Sequence, residues 1–96
     1  MKISVIVPTY QEVGGIETFL QQFERQTLKR GEFEVIVVDG GSRDGTRDLA
    51  AKYADRVILQ SSAGIGGARN DGARIAQADL LATTDADCRL PSGRRE

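Results

Sequence analysis

Residues 33–42 read Phe-Glu-Val-Ile-Val-Val-Asp-Gly-Gly-Ser, and this stretch decides the fold class. The mostly apolar run from Phe33 to Val38 is typical of a strand buried on both faces of a parallel sheet. Asp39, Gly40 and Gly41 then end the run with residues that favour turns. A buried strand that ends in a carboxylate and a glycine turn predicts an open α/β sheet with polar groups at its carboxyl edge.

Three other apolar runs have the same character and predict three more strands: residues 3–7, 57–59 and 79–84. Between them lie three segments with helical spacing. The first begins at Ile16, extends to about Leu28 and ends at Gly31 as its C-terminal cap. The second is capped by Ser42 or Asp44. The third covers residues 68–77, although Gly72 interrupts it.

Strands that alternate with helices predict a parallel sheet with helices on both faces. We therefore expect an α/β fold, a three-layer α/β/α Rossmann-like half-domain, with four parallel strands in the order 3-2-1-4. Its switch point, where strand order reverses and ligands bind, lies between strands one and four.

The composition and net charge limit the number of domains, the partners and the kinds of catalytic site that this chain can have. With 96 residues, 40% of them hydrophobic and 28% charged, the chain fits one ordinary globular domain. A net charge of -1 argues against nucleic acid as a partner. Histidine is absent and Cys88 is the single cysteine, which excludes histidine bases, Cys-His pairs and an internal disulfide.

No stretch resembles a signal peptide or approaches the ~20 apolar residues of a spanning helix. We expect a cytoplasmic protein, with peripheral association at the inner membrane face left open.

The sharpest motif is Asp85-x-Asp87, directly after strand four. Two carboxylates at a strand end can bind one hard cation, Mg²⁺ or Mn²⁺, and such a cation neutralises a departing diphosphate. The plain alternative is a solvated turn, because aspartate is common in turns. The position at the switch point favours the metal.

Other candidates surround the same edge. Tyr10 can stack on a planar base or fill a loop. Asp39 can accept hydrogen bonds from a base or ribose. Arg69 follows the glycine-rich stretch 64–67, and its guanidinium group can donate two hydrogen bonds to a phosphate. An ordinary surface arginine without a ligand explains this residue equally well. That stretch has neither the dinucleotide-binding spacing nor the lysine of a P-loop.

Taken together, four motifs resemble the nucleotide-sugar-binding half of the family 2 glycosyltransferases, which have the GT-A fold. They occur in family order across nearly the whole chain: Val5-Ile6-Val7-Pro8-Thr9-Tyr10-Gln11-Glu12, Val35 to Thr46, Gly66 to Gly72, and Asp85-Ala86-Asp87-Cys88.

The resemblance implies a nucleotide-sugar donor, UDP-linked or similar, and Mg²⁺ or Mn²⁺. By position, Pro8, Tyr10 and Glu12 match residues that line the base and ribose pocket. The resemblance further implies base contact for Asp39, a place near the nucleotide for Arg69, metal ligation by Asp87, and a ribose or metal contact for Asp85.

Two departures from the family are visible. Gln11 replaces the asparagine that is common between the tyrosine and the glutamate. The chain also ends at Glu96, before the half that binds the acceptor and carries the general base. We therefore expect residues 1–91 to form a donor-binding half-domain, residues 92–96 to form a polar tail, and the chain alone to be inactive.

Two functions remain open on the sequence. One is a glycosyltransferase that transfers a sugar with inversion to an unknown acceptor; the other is a non-catalytic nucleotide-binding module. A nucleotidyltransferase is disfavoured because residues 8–14 contain no basic side chain. An exposed edge at strand four would allow self-association.

Overall fold

The computed structural model describes residues 3–25 and 30–84. Its strands are β1 (Ile3–Thr9), β2 (Phe33–Asp39), β3 (Arg56–Leu59) and β4 (Leu80–Thr83). Its α-helices are α1 (Ile16–Gln21), α2 (Thr46–Ala50) and α3 (Gly64–Ile75). Two 3₁₀ turns, Gln22–Arg25 and Arg30–Glu32, lie between α1 and β2. Within this part of the chain, no helix is both long enough and apolar enough to cross a membrane.

The four strands form one parallel sheet in the order β3-β2-β1-β4, which confirms the predicted topology. In the register, Ile3 lies beside Phe33 and Leu80, and Ile36 lies beside Arg56. Every residue of β2 is buried, as its apolar run predicts, because β1 and β3 flank it and helices cover its two faces. All four residues of β4 are exposed.

The core has two parts, one on each face of the sheet. On one face, α1 and α2 cover a cluster centred on Val7, Val35 and Val37. On the other face, Ala68 of α3 packs on a smaller cluster that includes Ile6 and Ile36. The two clusters give the three layers that the alternating elements predict.

The predicted continuation of the first helix is wrong in detail. The α-helix ends at Gln21, and Gly31 lies inside a 3₁₀ turn instead of capping a helix. Phe23 is nevertheless buried and meets Phe19 edge-on, with ring centroids 5.6 Å apart. The apolar spacing therefore identified the buried face correctly, because Phe23 lies three residues after the buried Leu20 and a 3₁₀ turn keeps residues three apart on one side.

The starts of the other two helices also differ from the prediction. The residue before α2 is Gly45, with a φ of 92°, and neither Ser42 nor Asp44 occupies the cap position. Helix α3 starts at Gly64, four residues before Ala68, so the glycine-rich stretch forms its first turn.

Two glycines of α3 are required by close packing. A Cβ on Gly67 would lie 2.3 Å from the carbonyl oxygen of Ser62, and one on Gly72 would lie 2.7 Å from Cγ2 of Ile6. Gly67 therefore lets the chain after β3 pass against the helix, and Gly72 lets the helix approach the sheet. Gly66 has no atom within 4 Å of its Cβ position.

We expect Gly67→Ala and Gly72→Ala to lower the free energy of unfolding by about 1–3 kcal/mol, because overpacking outweighs the better helix propensity of alanine. The matched control Gly66→Ala should raise it by up to about 1 kcal/mol, since only the propensity term applies there. Urea unfolding monitored by circular dichroism measures all three. Equal effects at the three positions would contradict the packing argument.

Candidate functional site

An open cleft of about 710 Å³ lies at the carboxyl ends of β1, β2 and β3. Four residues singled out in the sequence line it together: Pro8, Tyr10, Glu12 and Arg69. Thr9, Gly40, Gln60, Gly64 and Ala68 complete the lining. Asp85, Asp87 and Cys88 lie outside the described residues.

The loop after β1 presents Tyr10 to the cleft. Tyr10 is 62% exposed, and its backbone N–H donates to the Glu12 carboxylate at 3.2 Å. The Glu12 N–H in turn donates to Thr46 Oγ1 at 2.9 Å. Because the loop is held at both residues, the aromatic ring stands at the surface of the cleft without packing into the core.

Gln11 holds the same loop from the other side. Its N–H donates to Ser42 Oγ at 2.7 Å, and its side-chain oxygen accepts the Arg43 N–H at 2.6 Å. Its φ of 53° is left-handed, the only such value at a non-glycine among the described residues. Asparagine, which the resemblance implies at this position, tolerates this conformation better than most residues.

Asp39 is buried beneath the cleft and does not line it. Its side chain is 0% exposed. Oδ1 accepts from the hydroxyls of Thr9 and Ser42, both at 2.7 Å, and Oδ2 accepts the N–H groups of Gly41 at 3.0 Å and Ser42 at 2.6 Å. Arg47 Nε lies 3.6 Å from Oδ2.

Burial disfavours the charged form of Asp39, but the hydrogen bonds from Ser42, Thr9 and Gly41 outweigh it and hold the pKa of this carboxyl below its usual value. Contact between Asp39 and a nucleobase would require at least one of these hydrogen bonds to be given up. The base contact implied for Asp39 therefore stays a prediction.

Asp44 and Thr46 connect the loops after β1 and β2. The hydroxyl and N–H of Thr46 donate to Asp44, and the Val13 N–H donates to Asp44 Oδ2 at 3.3 Å. The Thr46 hydroxyl, with smaller contributions from Val13 and the Thr46 N–H, lowers the pKa of Asp44 although desolvation opposes it. These two residues shape the site without lining the cleft.

The far wall of the cleft depends on two residues that the sequence did not single out, Gln60 and Asp71. Asp71, on α3, accepts the N–H groups of Ser61 at 2.6 Å and Ser62 at 3.0 Å, and the Ser62 hydroxyl at 2.7 Å. The backbone N–H groups of Ser62 and Ser61, with the Ser62 hydroxyl, lower the pKa of Asp71 to about 2. Residues 60–62, which we call the strap, are thereby held against α3.

A signal for Gln60 was present in the sequence. It is the first residue after β3, at the same edge of the sheet as Thr9 and Gly40. Asp71 lies within the Gly66 to Gly72 motif, but its role had no comparable signal, because its partners lie nine and ten residues earlier in a loop.

Charge in the cleft is small and mixed. Arg69 is its only cation and Glu12 its only acid among the described lining residues. Within residues 3–25 and 30–84, no group of three or more Asp, Glu or Cys side chains is arranged to hold a metal ion. The described chain ends at Thr84, whose N–H donates to the Ile6 carbonyl at 3.1 Å, and Asp85 is the next residue.

The sequence and the fold were compared with known proteins. A family model described as "Glycosyl transferase family 2" matches residues 4–96. Validoxylamine A glucosyltransferase of Streptomyces hygroscopicus subsp. jinggangensis is 42% identical over 89 residues, which are 86% of this chain and 21% of that protein. The chain thus spans about a fifth of this relative's length.

Two solved structures have the same fold. TarS of S. aureus in complex with UDP-GlcNAc is 33% identical, with a TM-score of 0.78 over 91% of this chain and 27% of that one. The mannosyltransferase PcManGT of Pyrobaculum calidifontis, in complex with GDP-Man and Mn²⁺, is 33% identical, with a TM-score of 0.82 over 95% of this chain and 29% of that one.

Replacing Asp39 tests its role in the turn. We expect Asp39→Asn to lower the free energy of unfolding by about 2–4 kcal/mol, because an NH₂ group would face the donors of Ser42, Thr9 or Gly41 inside the protein. Thermal unfolding followed by circular dichroism measures it. Asp48→Asn, at an exposed position of α2, is the control and should have little effect.

The pKa of Asp71 makes its contribution depend on pH. Because the folded value of about 2 lies below the ordinary 3.8, Asp71 stabilises the protein above about pH 4 and loses this effect as the pH falls through 2. The deficit of Asp71→Asn relative to wild type in urea midpoint should therefore be largest near neutral pH and shrink towards pH 2. Asp79→Asn, which removes a carboxylate at an exposed position, is the matched control. A constant Asp71→Asn deficit would count against the hydrogen-bonded carboxylate.

Proposed function

Because the chain belongs to glycosyl transferase family 2 and has the GT-A fold, we propose that its cleft binds the nucleotide of a nucleotide-diphospho-sugar. We infer a UDP-sugar as the donor. In this proposal residues 1–91 are the donor-binding half of a glycosyltransferase, and the sugar is transferred to an acceptor with inversion.

One observation carries the proposal: residues from separate motifs line a single cleft. Pro8, Tyr10 and Glu12 come from the loop after β1, Gly40 follows β2, and Arg69 lies on α3. Three of them offer groups that suit parts of the ligand. The exposed Tyr10 ring can stack on a base, the Glu12 carboxylate can accept from ribose hydroxyls, and the Arg69 guanidinium can donate to a phosphate in a bidentate manner.

The proposed metal ligands are Asp87 and Asp85, and we also propose that Asp85 contacts the ribose. Carboxylate oxygens suit Mg²⁺ and Mn²⁺, and PcManGT contains Mn²⁺ together with its nucleotide sugar. A bound divalent cation would neutralise the charge of the diphosphate leaving group. Arg69, as the cleft's only described cation, would share that task from the protein side.

The general base is assigned to a part of the protein outside this chain. Glu12 is the only acid among the described residues that line the cleft, and its carboxylate already accepts the Tyr10 N–H. This chain would then bind the donor without deprotonating an acceptor. If this chain binds the nucleotide but a longer protein that contains it transfers no sugar, the chain is the non-catalytic module of the alternative hypothesis.

A separate surface supports the proposal that copies of this chain associate. Strand β4 is an edge of the sheet among the described residues, and Leu80 and Leu81 on it are 61% and 43% exposed. Unpaired edges that carry apolar side chains favour pairing with another chain.

Calorimetry with UDP tests the proposed site. We expect wild type to bind UDP in the presence of Mn²⁺, and to bind it about tenfold or more weakly when Mn²⁺ is removed or when Asp87→Ala deletes a ligand. Asp48→Ala, which removes an exposed carboxylate elsewhere, is the matched control and should bind as wild type does. An affinity for UDP that changes neither on removal of Mn²⁺ nor in Asp87→Ala would refute the metal assignment. If wild type does not bind UDP at all, the proposed site is refuted.

A further inference from the structure

We propose that Gln60 reads the nucleobase, with its side-chain oxygen accepting a hydrogen bond from the ring N–H of uracil. The inference rests on the proposed function, since it assumes that a nucleotide occupies the cleft. It adds a specificity-determining residue that the sequence motifs do not contain.

Gln60 is held firmly at the edge of the sheet. It directly follows β3, and its backbone N–H donates to the carbonyl oxygen of Asp39 at 2.7 Å. Gly40, the residue after Asp39, is fixed to β1 in the same way, through a hydrogen bond to the Thr9 carbonyl at 2.9 Å. Gln60 and Gly40 therefore occupy equivalent positions on neighbouring strands, and both line the cleft.

The orientation of the Gln60 amide follows from its partners. Nε2 donates to two backbone carbonyls, Ser62 at 2.6 Å and Gly64 at 2.8 Å. Carbonyl oxygens only accept, so the NH₂ group has to face them, and both of its hydrogens are used. Oε1 is left as a pure acceptor, and no donor among the described residues is bonded to it.

Oε1 and the Tyr10 ring both border the position that a Cβ of Gly40 would occupy. A Cβ built on Gly40 would lie 3.7 Å from Gln60 Oε1 and 3.5 Å from Tyr10 Cδ1. The missing side chain of Gly40 thus leaves a space that is bordered by an exposed aromatic ring and by an amide oxygen. A planar base stacked on Tyr10 can point its hydrogen-bonding edge at Oε1 from this space.

Asp39, the residue expected to contact the base, has no such free acceptor. Its two oxygens already receive four hydrogen bonds from Thr9, Gly41 and Ser42, and its side chain is fully buried. Gln60 can accept from a ligand without breaking any hydrogen bond that it makes within residues 3–25 and 30–84.

Gln60 Oε1 can only accept a hydrogen bond, so it favours a base that presents a donor to it. Uracil presents a ring N–H at N3, whereas cytosine has an unprotonated nitrogen at that position. Because cytosine still offers the hydrogens of its 4-amino group to an acceptor, the N3 hydrogen is isolated by comparing UDP with N3-methyl-UDP, in which a methyl group replaces that hydrogen, and we expect Gln60 to favour UDP.

The test compares UDP with N3-methyl-UDP by calorimetry in the presence of Mn²⁺, in wild type and two variants. Gln60→Leu removes the oxygen and the amide donors. Gln60→Lys removes the oxygen but keeps N–H donors for the Ser62 and Gly64 carbonyls, so it preserves the strap if Gln60→Leu does not fold. Wild type should bind UDP about tenfold more tightly than N3-methyl-UDP, and either folded variant should bring this ratio close to one.

The outcomes separate this inference from the proposed function. If wild type does not bind UDP, the proposed function fails. If wild type binds UDP but does not distinguish it from N3-methyl-UDP, or if the distinction survives in a folded Gln60 variant, the site stands and the role of Gln60 is refuted.

Discussion

The buried carboxylate of Asp39 is the interaction on which the rest of the cleft depends. It stands at the end of the fully buried strand β2 and gathers donors from Thr9 on β1 and from Gly41 and Ser42 in the turn. An ionised group in the interior is tolerated only when its lone pairs are satisfied, and here all four acceptor positions are used. The turn is thereby given one conformation, and the loop after β1 lies on it through Gln11 and Ser42.

The opposite wall of the cleft is also held in place by an aspartate that accepts backbone N–H groups. Asp71, 5% exposed, accepts the N–H groups of Ser61 and Ser62 and so holds the strap on α3. Gly67 makes this approach possible, because any side chain there would collide with the Ser62 backbone. Two aspartates that accept backbone N–H groups therefore define two walls, and the side chains that line the cleft between them include Tyr10, Glu12, Gln60 and Arg69.

Much of this arrangement could be predicted from local sequence. The apolar runs located all four strands, and their alternation with helical segments predicted the order β3-β2-β1-β4. Pro8, Tyr10, Glu12 and Arg69 were selected from motifs, and they line one cleft. The helix boundaries were less predictable. Helix α1 tightens to 3₁₀ geometry after Gln21, and α3 begins within a glycine-rich stretch, because contacts with the sheet and the strap override weak local propensity.

The sequence by itself determined the fold class, the strand order and the family, because hydrophobic periodicity and motif order are properties of the chain read locally. Tertiary structure decided which candidate groups are available to a ligand. The Asp39 oxygens are engaged by Thr9 on the neighbouring strand together with Gly41 and Ser42 of its own turn. The folded loop after β3 brings the Ser62 and Gly64 carbonyls to the NH₂ group of Gln60 and leaves its oxygen as an acceptor. The availability of a hydrogen-bond acceptor depends on which donors the folded chain brings to it, and residue identity alone does not contain that information.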